Sequence, residues 1–538
     1  MLYHGDVEGH SYLEMPFGST VIRFASSRRC QEGLFLLLCA AILAWQLFLP
    51  GFIGLANNGD FPKVAGPLCL GSADHGSQDF LFFQPDYLRG PSHCYDPHIP
   101  LSEIALAWLA SSLEQAGGDP TRFDIRWLGA IHALLFAGFY VAVLVLLRPL
   151  SAVARIVLSL AALWIFADVG LVSYFNSFYS DVPAILGGLT AAVLAVHLMT
   201  SQKIRMGLLV LFGLASLMFV TSKGQHAILG LVPLGAALAI GWRSRDRYTR
   251  LAGCVISLAL TAGMLWVFAA TPAWFAAQAK FNLIFTKIAR NSRTPLQDLR
   301  ALGLEDRDLR YVGMHAYLPD SPMQDTQWRD GFNARSSYSQ VLGFYSRHPY
   351  RTLAILWSDL QAEAPRRRVF ANFPKSYGRP PGAQTDRLSS WSSMRSWLFA
   401  KCPAHILLWY GLALLAPPLL ARYEKSRFQR SLLWMIAALS VLGALEFGVS
   451  SLADGVETFR HLLMFHVFTD AAIFLALVLV AGRLSRRQPA PTPSPSPQPQ
   501  SPAPIPSPGE QTRGPYLASL HSGSPTTMFC QLRPRIPR

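Results

Sequence analysis

Long apolar runs alternate with short polar connections along this chain. A helix needs roughly 20 apolar residues to cross a bilayer. About ten stretches approach that length: Gly33–Ala56, Trp127–Leu147, Ile156–Phe175, Val182–Met199, Met206–Thr221, Gln225–Trp242, Leu251–Ala270, Ala404–Ala421, Ser431–Leu452 and His461–Val480. The pattern predicts an all-α polytopic membrane protein of about ten transmembrane helices. Met206–Thr221 is the short member of the set, and Pro233 interrupts Gln225–Trp242.

Two connections are too long to be simple loops. The first, residues 57–126, contains LSEIALAWLASSLEQ (Leu101–Gln115), whose apolar residues recur at helical spacing over a length that cannot span. That stretch fits a helix lying in the membrane interface. The second, residues 272–403, has the size of a small domain, with helices expected at Trp274–Arg290, Tyr338–Arg347 and Tyr350–Ala362. The organisation is therefore a segment 1–32, a first helical bundle 33–271, a mostly helical cap 272–403, further spans 404–483, and a Pro/Ser-rich tail 484–538 whose QPAPTPSPSPQPQ composition cannot bury a core.

Composition agrees with this layout and charge orients it. Hydrophobic residues make up 51% and charged residues only 15%, with a mean hydropathy of +0.27, outside the usual range for a soluble domain. Basic residues fall in alternate connections: Arg23, Arg28 and Arg29, Arg148 and Arg155, Lys203 and Arg205, the Arg243–Arg250 cluster, Arg422–Arg430, and Arg483–Arg487. The short opposite connections hold only Lys223. This excess predicts a plasma (inner) membrane protein with both termini cytoplasmic. The net charge of +15 is then topology signal and attraction to anionic lipid heads, not a nucleic-acid footprint. The first span, with its basic leader and no small-residue cleavage site, reads as a signal anchor. Of seven cysteines, Cys69 and Cys94 share the first long connection, where bridged and free thiols are both open; no spacing of zinc type occurs, so the metal-ligand set is empty.

Ionisable residues gather on the side opposite the basic loops. Asp168, Glu446, His132 and His466 fall in the outer parts of their spans, and Asp60, Asp181, Lys223, His226, Asp454, Glu457, Arg460 and His461 lie just past span ends on that side. Burying such groups in hydrocarbon costs several kcal/mol, so they usually face a cavity and mark a site. Four corners carry them. NNGD places Asp60 in turn chemistry directly after the first span. NSFYSDVP puts Asp181 at a helix start, where capping and chemistry are compatible. Its aromatics, Tyr174, Phe175, Phe178 and Tyr179, form an interfacial belt or a sugar-stacking shelf. SKGQH brings Lys223, Gln225 and His226 to a helix N-terminus suited to a phosphate. DGVETFRH sets Glu457 near Arg460 and His461, either as a local ion-paired cap or as part of the site. In the second long loop, His315, Asp320, Arg366–Arg368, Lys375 and Arg379 add basic forks suited to phosphate or carboxylate. No P-loop, GxGxxG, HExxH or GxSxG motif is present, which removes support for cytosolic nucleotide chemistry.

The layout, with NNGDFPKV, YFNSFYSDVPA, TSKGQHA and DGVETFRHL at these corners, resembles the GT-C superfamily of polytopic glycosyltransferases, and within it bacterial envelope-glycan hexose transferases. The resemblance covers roughly residues 30–482. It implies transfer of a sugar from a polyprenyl-phosphate donor to an envelope glycan or lipid-linked acceptor at the extracytoplasmic face. Asp60 would then be the catalytic base, with Asp181 beside it as a second acidic residue. Lys223, His226 and Arg460 would hold the lipid phosphate, and Gln225, Glu457 and His461 would complete the substrate site. Many members carry two adjacent acids in the first loop, whereas Gly59 precedes Asp60 here, so dependence on a divalent metal stays open. Partners would be the polyprenyl-linked sugar, the acceptor and membrane lipids. The competing readings are a transporter or flippase for lipid-linked saccharides, proton-coupled through Asp168, Glu446 and Asp470, a polysaccharide polymerase or ligase, and a non-catalytic scaffold.

Overall fold

The computed structural model describes residues 27–72, 80–99, 101–366 and 371–487. The Pro/Ser-rich tail from residue 488 onward, Arg23, Arg367, Arg368 and Cys530 lie outside them.

The apolar runs form helices, as hydrocarbon demands that every backbone N–H and C=O be bonded within its own segment. In chain order these are α1 (Arg28–Leu47), α2 (Ser102–Gln115), α3 (Arg126–Leu147), α4 (Ala152–Phe166) and α5 (Asp181–Thr200). Next come α6 (Met206–Val220), α7 (Gly224–Arg243), α8 (Arg247–Ala270), α9 (Ala273–Asn282), α10 (Tyr338–Arg347), α11 (Pro349–Ala362) and α12 (Ser390–Lys401). The last are α13 (His405–Tyr423), α14 (Arg427–Leu452) and α15 (Thr458–Ser485). Among the described residues, 8 helices are long and apolar enough to cross a membrane, 9 if α4 and the segment Val169–Phe175 count as one bent span, and α6 is a shorter apolar helix. The chain is an all-α polytopic membrane protein.

Three spans depart from the sequence expectation. The first ends at Leu47 instead of Ala56, because Pro50 and Gly51 cannot continue the helix. Asn176, from the NSFYSD corner, satisfies the end by donating to the carbonyls of Leu47 (3.0 Å) and Ile53 (2.8 Å). The third breaks by 48° after Phe166, where Asp168 caps the next segment by accepting from the Gly170 N–H at 2.8 Å. The seventh helix carries a short tight turn at Ile228–Gly230 ahead of Pro233.

Helix α5 and helix α15 are the most buried spans and form the centre of the bundle. α14 packs along α15, α5 along α6 and α3, and α7 along α8. The basic connections collect at one end, where Arg148 pairs with Glu32 (2.9 Å) and Arg483 with Glu424 (3.7 Å). The connections 48–125, 176–180, 221–223, 271–404 and 453–457 collect at the other, as their mutual hydrogen bonds below show.

The first long connection holds a three-stranded antiparallel sheet that periodicity did not predict. It comprises β1 (Leu70–Ser72), β2 (Asp86–Arg89) and β3 (Arg122–Asp124), in the order β1-β2-β3. Its strands are too short to leave a pattern in sequence. Cys69 and Cys94 are disulfide-bonded beside it. α2 packs on α3, with Glu103 buried 3.2 Å from His132, and leaves Trp108, Leu109 and Leu113 exposed on its far side, as a helix at a membrane interface does.

The second long connection has its own aromatic core, built from Phe281, Phe285, Tyr311, Trp328, Phe332 and Phe344. The expected helix Trp274–Arg290 is α9 continued by a π-helical turn, Leu283–Ile288. Helices at Pro295–Ala301, Thr326–Arg335 and α12 were not anticipated. The cap docks on the first connection through Asn372, which accepts from the Ala56 N–H at 3.0 Å through its side chain and from the Gly54 N–H at 3.2 Å through its carbonyl.

A candidate site at one end of the bundle

The turn after α1 is built to present one carboxylate. Asn57 Oδ1 accepts from the N–H groups of Gly59 (2.8 Å) and Phe61 (3.2 Å), and Gly59 sits at φ +96°, where a side chain would be strained. Asp60 therefore projects from a rigid loop. One turn on, in the Pro-initiated helix Pro62–Ala65, Lys63 Nζ donates to Asp60 Oδ1 at 2.5 Å. From the start of α15, Arg460 Nη1 donates to the other oxygen, Oδ2. Burial alone would raise the Asp60 carboxyl, but Arg460 and Lys63 outweigh it and hold it well below the usual carboxylate range. It is ionised at any physiological pH.

The neighbouring corners lock onto this pair. Glu457 approaches Arg460 Nε at 3.0 Å and accepts from Asn58 Nδ2 at 2.9 Å. Glu457 is held at φ +53°, a left-handed conformation uncommon for Glu, so its contacts fix a strained backbone. Tyr179 donates to the Ala56 carbonyl (2.9 Å) and Asn58 Oδ1 (2.8 Å), tying the NSFYSD corner to the NNGD turn. Lys223 donates to Asp181 Oδ1 at 2.7 Å. Burial pushes the Lys223 ammonium down and the neighbouring Arg460 adds to this, against the pull of Asp181 and Asp60. Asp60, Asp181, Lys223, Glu457 and Arg460 thus form one electrostatically connected cluster. The cap closes over it: the Phe275 ring lies 4.5 Å from Lys63 Nζ, and burial, with Asp454 and Asp60 close by, raises the Tyr317 phenol.

Gly455 lets the last corner approach the cap. A Cβ there would lie 2.3 Å from Thr286 Oγ1 and 2.5 Å from the Asn282 carbonyl. Asp454 beside it is pushed up from 3.8 to about 6, by burial first, against the N–H groups of Val456 and Gly455 and the charge of Arg460. A carboxyl whose folded pKa is raised stabilises the fold fully below pH 3.8, and that contribution is lost as pH rises through about 6. Asp454→Asn is expected to flatten the stability profile across that window, read as unfolding temperature against pH in detergent. An unchanged slope would show that Asp454 is not the group responsible.

Not every predicted residue joins the cluster. Gln225 and His226 turn into the bundle: Gln225 Nε2 donates to Glu446 Oε1 at 2.6 Å, and His226, fully buried, bonds Ser222 Oγ at 2.7 Å and stacks on Phe219. The SKGQH segment does not present them as a phosphate corner. Nor do the aromatics form a belt or a shelf. Tyr174, Phe175, Phe178 and Tyr179 are all at most 1% exposed, packed among Phe61, Tyr87, Phe123 and Phe136. His461, by contrast, lies 3.8 Å from Asp454 and within electrostatic reach of Arg460, Lys223 and Asp60. In the cap, Arg366 pairs with Glu363 and lies over Phe459, and Arg379 over Phe373, while His315 stays by Tyr317.

Sequence reasoning missed Lys63, Tyr317 and Arg395. Lys63 had a signal, being three residues from Asp60 on a Pro-opened turn. The other two lie in the cap, where nothing local marks them. Among the described residues, no group of three or more His, Cys, Asp or Glu side chains is placed to hold a metal ion.

The fold and site together define a multi-span helical membrane protein with a charged cluster under a helical cap. A family model described as the YfdI N-terminal transmembrane domain matches residues 22–492, and the chain belongs to that family. No curated protein and no solved structure matches the chain.

Proposed function

We propose that this chain is a GT-C-type membrane glycosyltransferase that moves a hexose from a polyprenyl-phosphate donor to an envelope glycan or lipid-linked acceptor at the extracytoplasmic face of the plasma membrane. The observation that carries the reading is the Asp60–Arg460 pair: a carboxylate and a guanidinium joined across the bundle, with Lys63, Lys223 and Asp181 around them.

In this reading the acceptor hydroxyl attacks the sugar C1. The new C1–O bond forms as the C1–O bond to phosphate breaks, the bonding pair leaves with the polyprenyl phosphate, and the hydroxyl proton passes to Asp60. A carboxylate clamped by two cations is a weak base. A donor phosphate that engages Arg460 would leave Asp60 with Lys63 alone and raise its basicity once substrate is in place. Arg460 would meanwhile stabilise the charge growing on the leaving phosphate, with Lys223 beyond it. The carboxylates that a proton-coupled transporter would use are engaged otherwise: Asp168 caps a helix, Glu446 holds Gln225, and Asp470 lies 2.7 Å from Arg395.

The test is direct. Membranes enriched in the chain are given polyprenyl-phosphate-linked glucose, galactose or mannose carrying a labelled sugar, with an envelope-glycan extract as acceptor. Label should appear on the acceptor as a single added residue for one of the three sugars. Retention of all label on the lipid, or addition of whole saccharide chains, would defeat the transferase reading.

A further inference from the structure

A cavity of about 80 Å³, with Arg460 in its wall, lies between the bent α4 segment, α12 and α15. Ile165, Leu171, Phe459 and Leu463 make part of its wall apolar. Arg366, Arg395, Arg460 and His466, with Asp168 and Asp470, bring ionisable groups to the same wall. Both carboxylates are already engaged. Asp168 accepts from the Gly170 N–H (2.8 Å) and the Ser392 N–H (3.0 Å), and Asp470 lies 2.7 Å from Arg395 Nη1.

Arg395 is the informative residue. It is 8% exposed, its Nη1 also donates to the His466 carbonyl at 3.1 Å, and its Nη2, shielded from solvent, has no hydrogen-bond partner among the described residues. A buried guanidinium with an idle donor costs free energy unless something accepts from it. The neighbouring guanidinium, Arg460, lines the same cavity. Two Arg side chains lining one cavity with apolar walls match an anion with several oxygens carried on an apolar tail.

We propose that this cleft binds a phosphate monoester anion, with Arg395 and Arg460 as its two guanidiniums. The proposal rests on the transferase reading above and deepens it. The monoester is the leaving group of the transfer, and the cleft puts its phosphate on the Arg395 side of Arg460, not at Gln225 and His226. Arg395 is then a ligand of the lipid phosphate and the Asp470 carboxylate its positioning partner.

The experiment measures binding of labelled polyprenyl monophosphate to the full chain in nanodiscs. The matching polyprenol and inorganic phosphate serve as competitors, and neither donor sugar nor acceptor is present. Because removing one partner of a buried pair alone can unfold a protein, the variant is Arg395→Met together with Asp470→Leu, which removes both charges. Its affinity for polyprenyl monophosphate should fall at least about ten-fold, the loss expected for a charge-assisted contact. Polyprenol should not compete. Competition by inorganic phosphate at millimolar level would assign the site to the headgroup alone, and its absence would show that the tail is needed as well. A parallel measurement avoids mutation: a photoactivatable polyprenyl monophosphate should crosslink to residues of α12 and α15 that line the cleft in the wild-type chain, read by mass spectrometry. Wild-type affinity in a folded double variant, or crosslinks that all fall outside the cleft, overturns it. Intact binding without any sugar transfer would instead count against the transferase reading alone.

Discussion

Asp60→Asn should abolish sugar transfer, by about 10²–10⁴-fold, the usual contribution of a positioned general base. The amide keeps the shape and one acceptor for Arg460 or Lys63 but cannot take the proton. The loss should appear in the turnover rate more than in the apparent affinity for the lipid donor, because Arg460 and Lys223 are unaltered. The acid limb of the wild-type kcat/KM profile, which reports the free enzyme, should lie below the ordinary carboxylate range, since Arg460 and Lys63 hold Asp60 ionised. Assay of labelled transfer in proteoliposomes at several pH values checks both statements. Activity within a few-fold of wild type would remove Asp60 from the base role.

Lys287→Met should destabilise the protein by about 3–5 kcal/mol, the cost of leaving one member of a buried ion pair unpaired. Lys287 rises from the π-helical turn that follows α9 and is almost wholly buried. Its ammonium donates to Asp359 Oδ2 on α11 (2.6 Å), the Ser451 carbonyl near the end of α14 (2.9 Å) and Thr458 Oγ1 at the start of α15 (3.0 Å). One side chain thereby ties the cap to two spans, two residues before Arg460. The methionine would strand the Asp359 carboxylate, which burial already pushes up against the pull of Lys287. The double variant Lys287→Met with Asp359→Leu should recover most of the lost stability, because no unpaired charge remains. Unfolding temperature and the rate of proteolysis within the cap measure the effect. Equal instability of single and double variants would mean that the hydrogen bonds to Ser451 and Thr458, not the charge pair, hold the cap.

The all-α membrane architecture was determined by the chain alone, since spanning length is a one-dimensional property and hydrocarbon obliges each segment to satisfy its own backbone. The gathering of Asp60, Asp181, Lys223 and Arg460 at one end followed from the same counting, because alternate connections of successive spans must share an end. What counting cannot supply is the rotation of a helix about its axis, or a break within it. Gln225 and His226 share a short segment with Lys223, yet they face Glu446 and the core while Lys223 faces Asp181. The third span kinks because Asp168 finds the N–H of Gly170 and of Ser392, the latter 224 positions away. Asp60 and Arg460 are separated by 400 positions, and Arg395 reaches Asp470 only because the cap folds back between α4 and α15. Those pairings depend on packing between segments remote in sequence, so tertiary structure alone decided which polar groups share a cavity and which are sealed in the core.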